Sequence, residues 1–280
     1  MDVAAPAETR EFEFTDGDFR RVRELVRSTI GISLAESKRE LVYGRLVRRV
    51  RHLGCSSFAE YVDCLESGDA ELEHFCNAIT TNLTAFFRER HHFEFLAHAI
   101  LPALLRRNAR ARRIRIWSAG CSTGEEAYSI AMVVRETLGD LGGWDLRILA
   151  TDVDSNVLAQ AQSGIYDADR FERSGNPRRE RWFVPVAGGR GHEARPELKR
   201  LIAFRRLNLI EPWPMHGPFD VIFCRNVIIY FDKETQRDII GRMAGLQREG
   251  DHLILGHSES LLNVTDRYGP EGQTIHRRTQ

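Results

Sequence analysis

Before residue 80, apolar side chains recur at helical spacing in successive blocks. Phe19, Val22, Leu25, Val26 and Ile30 share one face behind a Thr15-x-x-Asp18 capping box, and Gly31 stops the run. Leu41, Leu46, Val50 and Leu53 predict a second helix from about Ser37 to Leu53, ended by Gly54. Phe58, Tyr61, Val62 and Leu65 follow Ser57 as a third, and Leu72, Phe75 and Ile79 mark a fourth from about Asp69 to Thr80. Residues 12–89 therefore read as a small helical domain. The small, polar, aperiodic stretch 1–11 is expected to be a disordered tail. Residues 90–112 read as a linker helix, with Phe93, Leu96, Ile100, Leu104 and Leu105 spaced for burial.

The period then changes. Short apolar runs at 114–118, 146–151, 202–205, 219–224 and 252–256 alternate with helical stretches, the pattern of an α/β domain with a mainly parallel sheet over 113–280. Asp251 to Gly256 and Gln273 to Arg277 suit a terminal hairpin. An antiparallel last strand would set this sheet apart from a dinucleotide-binding one. Between 163 and 201 the alternation lapses into Gly, Pro, Arg and Trp182-Phe-Val-Pro-Val186, which suggests an inserted β-subdomain.

A length of 280 residues suffices for both domains. The 40 basic and 40 acidic residues cancel, so no overall field recruits nucleic acid or a membrane surface. No apolar run approaches the roughly 20 residues that cross a bilayer, and no apolar signal segment opens the chain. Direct membrane insertion is therefore not expected, and a cytoplasmic protein is. Cys55, Cys64, Cys76, Cys121 and Cys224 show no C-x-x-C spacing, against both a zinc site and a disulfide framework. No metal is expected, and the thiols read as small apolar side chains.

Candidate chemistry centres on Ile114-Arg-Ile-Trp-Ser-Ala-Gly-Cys-Ser-Thr-Gly-Glu-Glu-Ala-Tyr-Ser-Ile-Ala-Met132, a strand that breaks into a glycine-bracketed loop and then a helix. Gly120 and Gly124 permit sharp turns and close approach of a ligand. Glu125 and Glu126 fall in the first helical turn, where carboxylates are common because they complement the dipole. A pyrophosphate cradle uses G-x-G-x-x-G and an open helix N-terminus. This loop is G-x-x-x-G followed by two negative charges, which would repel phosphate and welcome a cation. S-adenosylmethionine, with an ammonium, a sulfonium and no phosphate, meets that requirement. Asp152, closing the run that starts at Leu146, stands where a ribose diol needs an acceptor.

Three further segments carry polar residues where chemistry could use them: Asn82, Thr84 and Arg88 around Phe86 and Phe87; Asn208-Leu209 after a strand; and Arg225-Asn226 ending a strand, with Tyr230 four residues on. Ordinary readings exist for each. Asn82 and Thr84 could cap a helix, Phe86 and Phe87 fill a core, and Arg225 and Asn226 satisfy loop carbonyls. His91 and His92 read as surface or core histidines rather than catalytic ones. Taken in order with the glycine loop and Gly256-His-Ser-Glu-Ser260, however, the segments resemble the CheR family of chemotaxis receptor glutamate methyltransferases, from about residue 13 to 278. Ala127 departs from the family pattern, which has proline after the paired glutamates and so a more preorganised helix start.

The resemblance implies a Rossmann-like S-adenosylmethionine-dependent methyltransferase sheet with a small all-α N-terminal domain and an inserted β-subdomain. It implies methyl transfer from S-adenosylmethionine, leaving S-adenosylhomocysteine, to glutamate carboxylates on the cytoplasmic helices of methyl-accepting chemotaxis receptors. Asn82, Thr84 and Arg88 would line the cofactor and methyl-transfer site. Gly120 with Glu125 or Glu126 would hold the methionine end, Asp152 the ribose, and Asn208-Leu209 the adenine. Arg225 and Asn226 would close the site, with Arg88 and Tyr230 as catalytic residues beside the methyl. A glutamate acceptor ordinarily has a pKa of about 4.3 and is already anionic, so desolvation and orientation are needed rather than a general base.

The helix over 37–53 carries Lys38, Arg39, Arg45, Arg48, Arg49 and Arg51 against Glu40 alone. A solvated charged face is the ordinary reading. With the resemblance, the run is expected to steer the enzyme to acidic receptor helices through a salt-sensitive attraction. Nucleic-acid binding is not expected, since no aromatic residues interleave with the basic ones, and a monomer is. Competing readings are a methyltransferase of another protein or a small molecule, a non-catalytic S-adenosylmethionine sensor and, last, a nicotinamide enzyme.

Overall fold

The computed structural model describes residues 10–68, 70–139, 142–172 and 176–280. The chain divides into two compact units between Thr80 and Thr81. Of the stretch 1–11 expected to be a disordered tail, residues 1–9 lie outside the described residues. Arg10 and Glu11 do not fit that expectation, because they ion-pair with Glu40 and Arg51.

In the first unit, α1 (Asp16–Ile30) starts on the expected capping box: Asp18 N donates to Thr15 Oγ1 at 3.0 Å and Thr15 N to the Asp18 carboxylate at 2.9 Å. The helix ends at Gly31, whose φ of 75° costs a glycine little. A 3-10 turn, Glu36–Lys38, leads into α2 (Arg39–Leu53). Its buried stripe is Val42, Leu46 and Val50, whereas Leu41 and Leu53 are exposed; the inward face is centred one residue round from the spacing first read. α3 (Phe58–Ser67) and α4 (Leu72–Ile79) bury Phe58, Tyr61, Val62, Leu65, Phe75 and Ile79. Among them sits one buried polar cluster. Arg49 donates twice to Glu71, at 2.7 Å each, and Tyr61 Oη donates to the same carboxylate at 3.2 Å.

The second unit opens with the segment 81–90 and a continuous helical run of α5 (His91–Phe95), a π-helical turn (Leu96–Ile100) and α6 (Leu101–Arg107). Phe93, Leu96, Ile100 and Leu104 are buried, as their spacing predicts, while Leu105 is only partly so. The chain then runs β1 (Arg113–Ala119), α7 (Glu125–Leu138), β2 (Asp145–Asp152), α8 (Ser155–Ser163), β3 (Ile165–Tyr166), α9 (Asn176–Trp182), β4 (Phe183–Pro185), β5 (His192–Ala194) and α10 (Pro196–Lys199). It continues through β6 (Ile202–Arg206), β7 (Val221–Cys224), α11 (Lys233–Gly245), β8 (His252–Leu255), β9 (Tyr268–Gly272) and β10 (Ile275–Arg278).

The main sheet has the order β6-β2-β1-β7-β8-β10-β9. β6, β2, β1, β7 and β8 are mutually parallel, and β10 is antiparallel to both its neighbours. Central parallel strands are covered on both faces, which is why Ile114, Ile116 and Trp117 are fully buried; α7, one of the covering helices, is itself buried from Glu125 to Val134, Glu126 keeping 8% exposure. The expected antiparallel pairing of the last strand with β8 is present, Ile275 facing Ile254. Its hairpin partner, however, is β9, which the weak strand formers of Tyr268-Gly-Pro-Glu-Gly272 conceal. The lapse at 163–201 is an antiparallel three-stranded sheet, β3-β5-β4. Phe86 stacks on Phe171 at 4.8 Å and meets Phe183 edge-on at 5.6 Å, joining the segment 81–90 to that subdomain. All five cysteines are free. No helix among the described residues is long and apolar enough to cross a membrane.

Candidate active site

β1 has β2 on one side and β7 on the other, so the direction of winding reverses at its C-terminal end, where open α/β sheets bind ligands. Gly120 leaves the strand with φ 80°, and its N–H donates to Thr151 O at 2.8 Å. A Cβ there would lie 2.3 Å from Val227 Cγ2, so this turn is open only to glycine. Gly124, at φ 95°, has Ala161 Cβ and Tyr166 Oη each 2.8 Å from the place of a Cβ.

The paired glutamates diverge. Glu126 accepts from Ser118 Oγ at 2.7 Å and from Arg225 Nη1 at 2.9 Å, and keeps 8% exposure. Glu125 accepts from Thr123 Oγ1 at 2.6 Å and is wholly buried; its other oxygen has no hydrogen bond and faces Arg170 at 3.5 Å. Burial pushes the Glu125 pKa up.

Asp152, at the end of β2, is 9% exposed and accepts the N–H groups of Ser122 at 2.8 Å and Asp154 at 3.0 Å. A carboxylate has room for about four donors. Burial raises the Asp152 pKa against the pull of those N–H groups. The next carboxylate, Asp154, caps α8 through Asn156 N at 2.9 Å and accepts from Asn82 Nδ2 at 2.7 Å. Ser122 Oγ returns the link by donating to Asn82 O at 2.9 Å. Asn82 is thus a bridge between the segment 81–90 and the glycine loop, not a helix cap. Thr84 and Arg88 are half-buried on that segment. Thr84 makes no side-chain hydrogen bond among the described residues, and Arg88 spends Nη1 on Leu83 O at 2.8 Å. Leu207 N donates to Asp152 O at 2.9 Å, which sets the turn carrying Asn208 and Leu209 beside Asp152.

Arg225, at the end of β7, gathers several of these pieces. Besides Glu126, it donates to Arg88 O, lies 3.5 Å from Glu89 and rests over the Phe93 ring at 5.5 Å. Asn226 adopts φ 59°, a left-handed value that asparagine tolerates. Tyr230 ends a 3-10 turn, Ile228–Tyr230, half-buried, and its hydroxyl has no hydrogen bond among the described residues. Reading the sequence assigns no role to Glu89, Asp154 or Glu259. The structure shows Glu89 accepting from His257 N at 3.1 Å and Nδ1 at 3.0 Å. Burial alone would raise the Glu89 pKa, but the His257 hydrogen bond and the Arg225 charge hold it below the ordinary value. Donor atoms of Glu89, His91 and His92 lie within 4.8 Å of one another, yet the Arg225 guanidinium already supplies the positive charge this carboxylate attracts. His92 is fully buried, as a core histidine would be.

In the first unit the six basic residues expected to dock a substrate are unequal. Arg39 holds Asp16 and Phe14 O, Arg45 holds Ile79 O, Arg49 holds Glu71 and Arg51 holds Glu11. Lys38 and Arg48 are exposed and pair with no described residue.

Five parallel strands with an antiparallel last strand, and carboxylates at the switch point in place of a phosphate cradle, are the architecture of an S-adenosylmethionine-dependent methyltransferase. Residues 82–276 match the family described as CheR methyltransferase, SAM binding domain, and residues 17–80 the one described as CheR methyltransferase, all-alpha domain. The chain belongs to the CheR methyltransferase family. It is 46% identical over 270 residues to chemotaxis protein methyltransferase 2 of Pseudomonas aeruginosa, covering 95% of each chain. It is 43% identical over 277 residues to the chemotaxis protein methyltransferase of Escherichia coli, covering 96% of this chain and 93% of that one.

Proposed function

We propose that this protein transfers the methyl group of S-adenosylmethionine to glutamate side-chain carboxylates of methyl-accepting chemotaxis receptors, leaving γ-glutamyl methyl esters. The observation that carries this reading is a division of charge around Arg225. Carboxylates with exposed edges, Glu126 and Asp152, stand at the strand ends, while Arg88 and Tyr230 offer unspent donors on the two segments that Arg225 ties to them. The first set suits a cation and the second an anionic acceptor. The names of the relatives support a chemotaxis protein as that acceptor.

When bound, the cofactor supplies an electrophilic methyl on a sulfonium. Glu126 with Gly120 holds its methionine end, since Glu125 has no exposed surface to offer. Asp152 takes the ribose, the Asn208-Leu209 turn beside it the adenine, and Asn82 and Thr84 line the same cleft. Arg88 directs one oxygen of the acceptor through its free N–H groups without neutralising the nucleophile. Tyr230 bounds the methyl pocket, and Arg225 with Asn226 closes it. Receptor helices are steered by the basic face of α2, chiefly Lys38 and Arg48. The enzyme works in the cytoplasm as a monomer.

Labelled methyl should pass from S-adenosylmethionine to receptor-containing membranes and be released as methanol by mild base. Binding of the cofactor without labelling of any receptor would sink the acceptor assignment and leave the methyltransferase fold standing.

A further inference from the structure

The loop after β7 carries Arg225, Asn226 and Tyr230, and one buried side chain outside it governs its course. Glu259, 5% exposed, accepts the N–H groups of Asn226 and Val227 at 2.8 Å each, of Ile229 at 3.4 Å and of Gly256 at 2.6 Å. A carboxylate takes about four donors, so main-chain N–H groups alone saturate it. Charge-assisted bonds of this kind are shorter and stiffer than those between neutral groups. They also oppose the rise in pKa that burial gives Glu259. Gly256 completes the grip, because a Cβ on it would lie 2.3 Å from Asn226 Nδ2 and 2.8 Å from Asn226 N. His257, next in the chain, donates to Glu89, which faces Arg225 from the other side.

We infer that Glu259 is a positioning residue for methyl transfer: its carboxylate sets the 226–229 backbone and, through it, the Asn226 carboxamide and the Tyr230 hydroxyl where cofactor and acceptor meet. The inference rests on the function proposed above. A carboxylate is required because its two oxygens serve separate pairs of donors, Val227 with Ile229 and Asn226 with Gly256. An amide of the same shape would turn N–H groups toward one pair. The turn would then shift although the volume is unchanged.

The test uses the full-length enzyme, S-adenosylmethionine and receptor membranes. Glu259→Gln is expected to lower kcat at least tenfold at saturating substrates while the Kd for S-adenosylmethionine stays within threefold. The residues given the methionine end and the ribose, Gly120, Glu126 and Asp152, are not among the donors that Glu259 holds. Gly256→Ala, which displaces Asn226 without removing an acceptor, is expected to give the same split and carries the test if the glutamine variant fails to fold. Retention of kcat within threefold in either folded variant overturns the inference. So does a joint fall of kcat, cofactor affinity and Tm, which would mark a purely structural role. The wild-type control separates the two levels: no labelling by wild type counts against the acceptor, whereas equal kcat for wild type and variant counts against Glu259.

Discussion

Arg225 and Glu126 meet at 2.9 Å with 2% and 10% of their side chains exposed, bracing the end of β7 against the first turn of α7. Arg225 is the cation beside Glu126, and Glu89 is a second carboxylate 3.5 Å from the same guanidinium. Removing one partner of such a pair leaves an uncompensated charge, at a cost of roughly 3–5 kcal/mol. Arg225→Met should lower stability by about that much, Glu126→Gln by less because Glu89 stays beside Arg225, and the double variant by clearly less than the sum. Urea unfolding of all four proteins measures this; strictly additive losses would show that the pair is not coupled.

The two adjacent glutamates should separate in cofactor binding. Glu126→Gln is expected to weaken S-adenosylmethionine at least tenfold by calorimetry, and Glu125→Gln to change it less than threefold. The sign for stability is opposite to intuition at Glu125. Its pKa is raised and one oxygen already lacks a hydrogen bond, so a neutral amide there should be tolerated or mildly stabilising. Equal losses for the two variants would refute the assignment of the methionine end to Glu126.

Gly120→Ala should abolish cofactor binding through two separable faults. One is the left-handed φ of 80°, which disfavours alanine by about 1 kcal/mol. The other is the clash at 2.3 Å with Val227 Cγ2, which Val227→Ala removes. The double variant should therefore recover stability over Gly120→Ala to within about 1–2 kcal/mol of Val227→Ala alone. No recovery would mean that the Val227 contact is not what excludes a side chain.

Much of this architecture was legible in the chain because the signals were local. The Thr15–Asp18 box, Gly31 and Gly54 and the switch to short apolar runs at 114–118 and 146–151 each act within a turn or a strand. The glycine loop was legible for the same reason. What escaped depends on distant partners. Nothing around Glu259 announces that its carboxylate will collect N–H groups from residues 226–229, and nothing in α2 shows that Arg49 is committed to Glu71 while Arg48 is free. β9 was hidden because its glycines and proline are poor strand formers held in place by β10.

That difference within α2 makes a sharp test of receptor docking. Arg48→Glu should leave Tm within about 1–2 °C, since exposed substitutions of this kind change stability by at most about 0.5 kcal/mol. It should also slow receptor methylation severalfold at low salt, with the effect fading at high salt. Arg49→Glu should instead destabilise the first unit by breaking the buried pair with Glu71. Unchanged methylation by Arg48→Glu at low salt would remove this helix from docking.

His92 should make stability depend on pH. Burial, with the Arg225 charge, lowers its pKa from 6.5 to about 3. His92 Nε2 lies 3.3 Å from Gln273 O, which can only accept, and 2.9 Å from Thr274 Oγ1, so Nε2 carries the proton there, and the lowered pKa leaves Nδ1 without one at neutral pH. Below pH 6.5 the unfolded chain gains a proton that the folded one refuses, so stability falls as pH drops toward 3, by up to about 1.4 kcal/mol per pH unit. His92→Gln, measured beside wild type by urea unfolding at pH 7 and pH 5, should show a shallower loss. Identical pH slopes would rule His92 out as the source.

β10 enters the sheet between β8 and β9, and Thr274 at its start is the partner of His92. Until residues 275–278 fold back against it, β8 has a bare edge on the side away from β7. In that interval an unpaired strand is exposed to other nascent chains, and the charged neighbours Arg277 and Arg278 are not yet available to discourage them. A protease that clipped a few residues after Gln273 would recreate the same open edge in the finished enzyme. Order of folding and resistance to trimming thus converge on one short strand, far in sequence from the glycine loop.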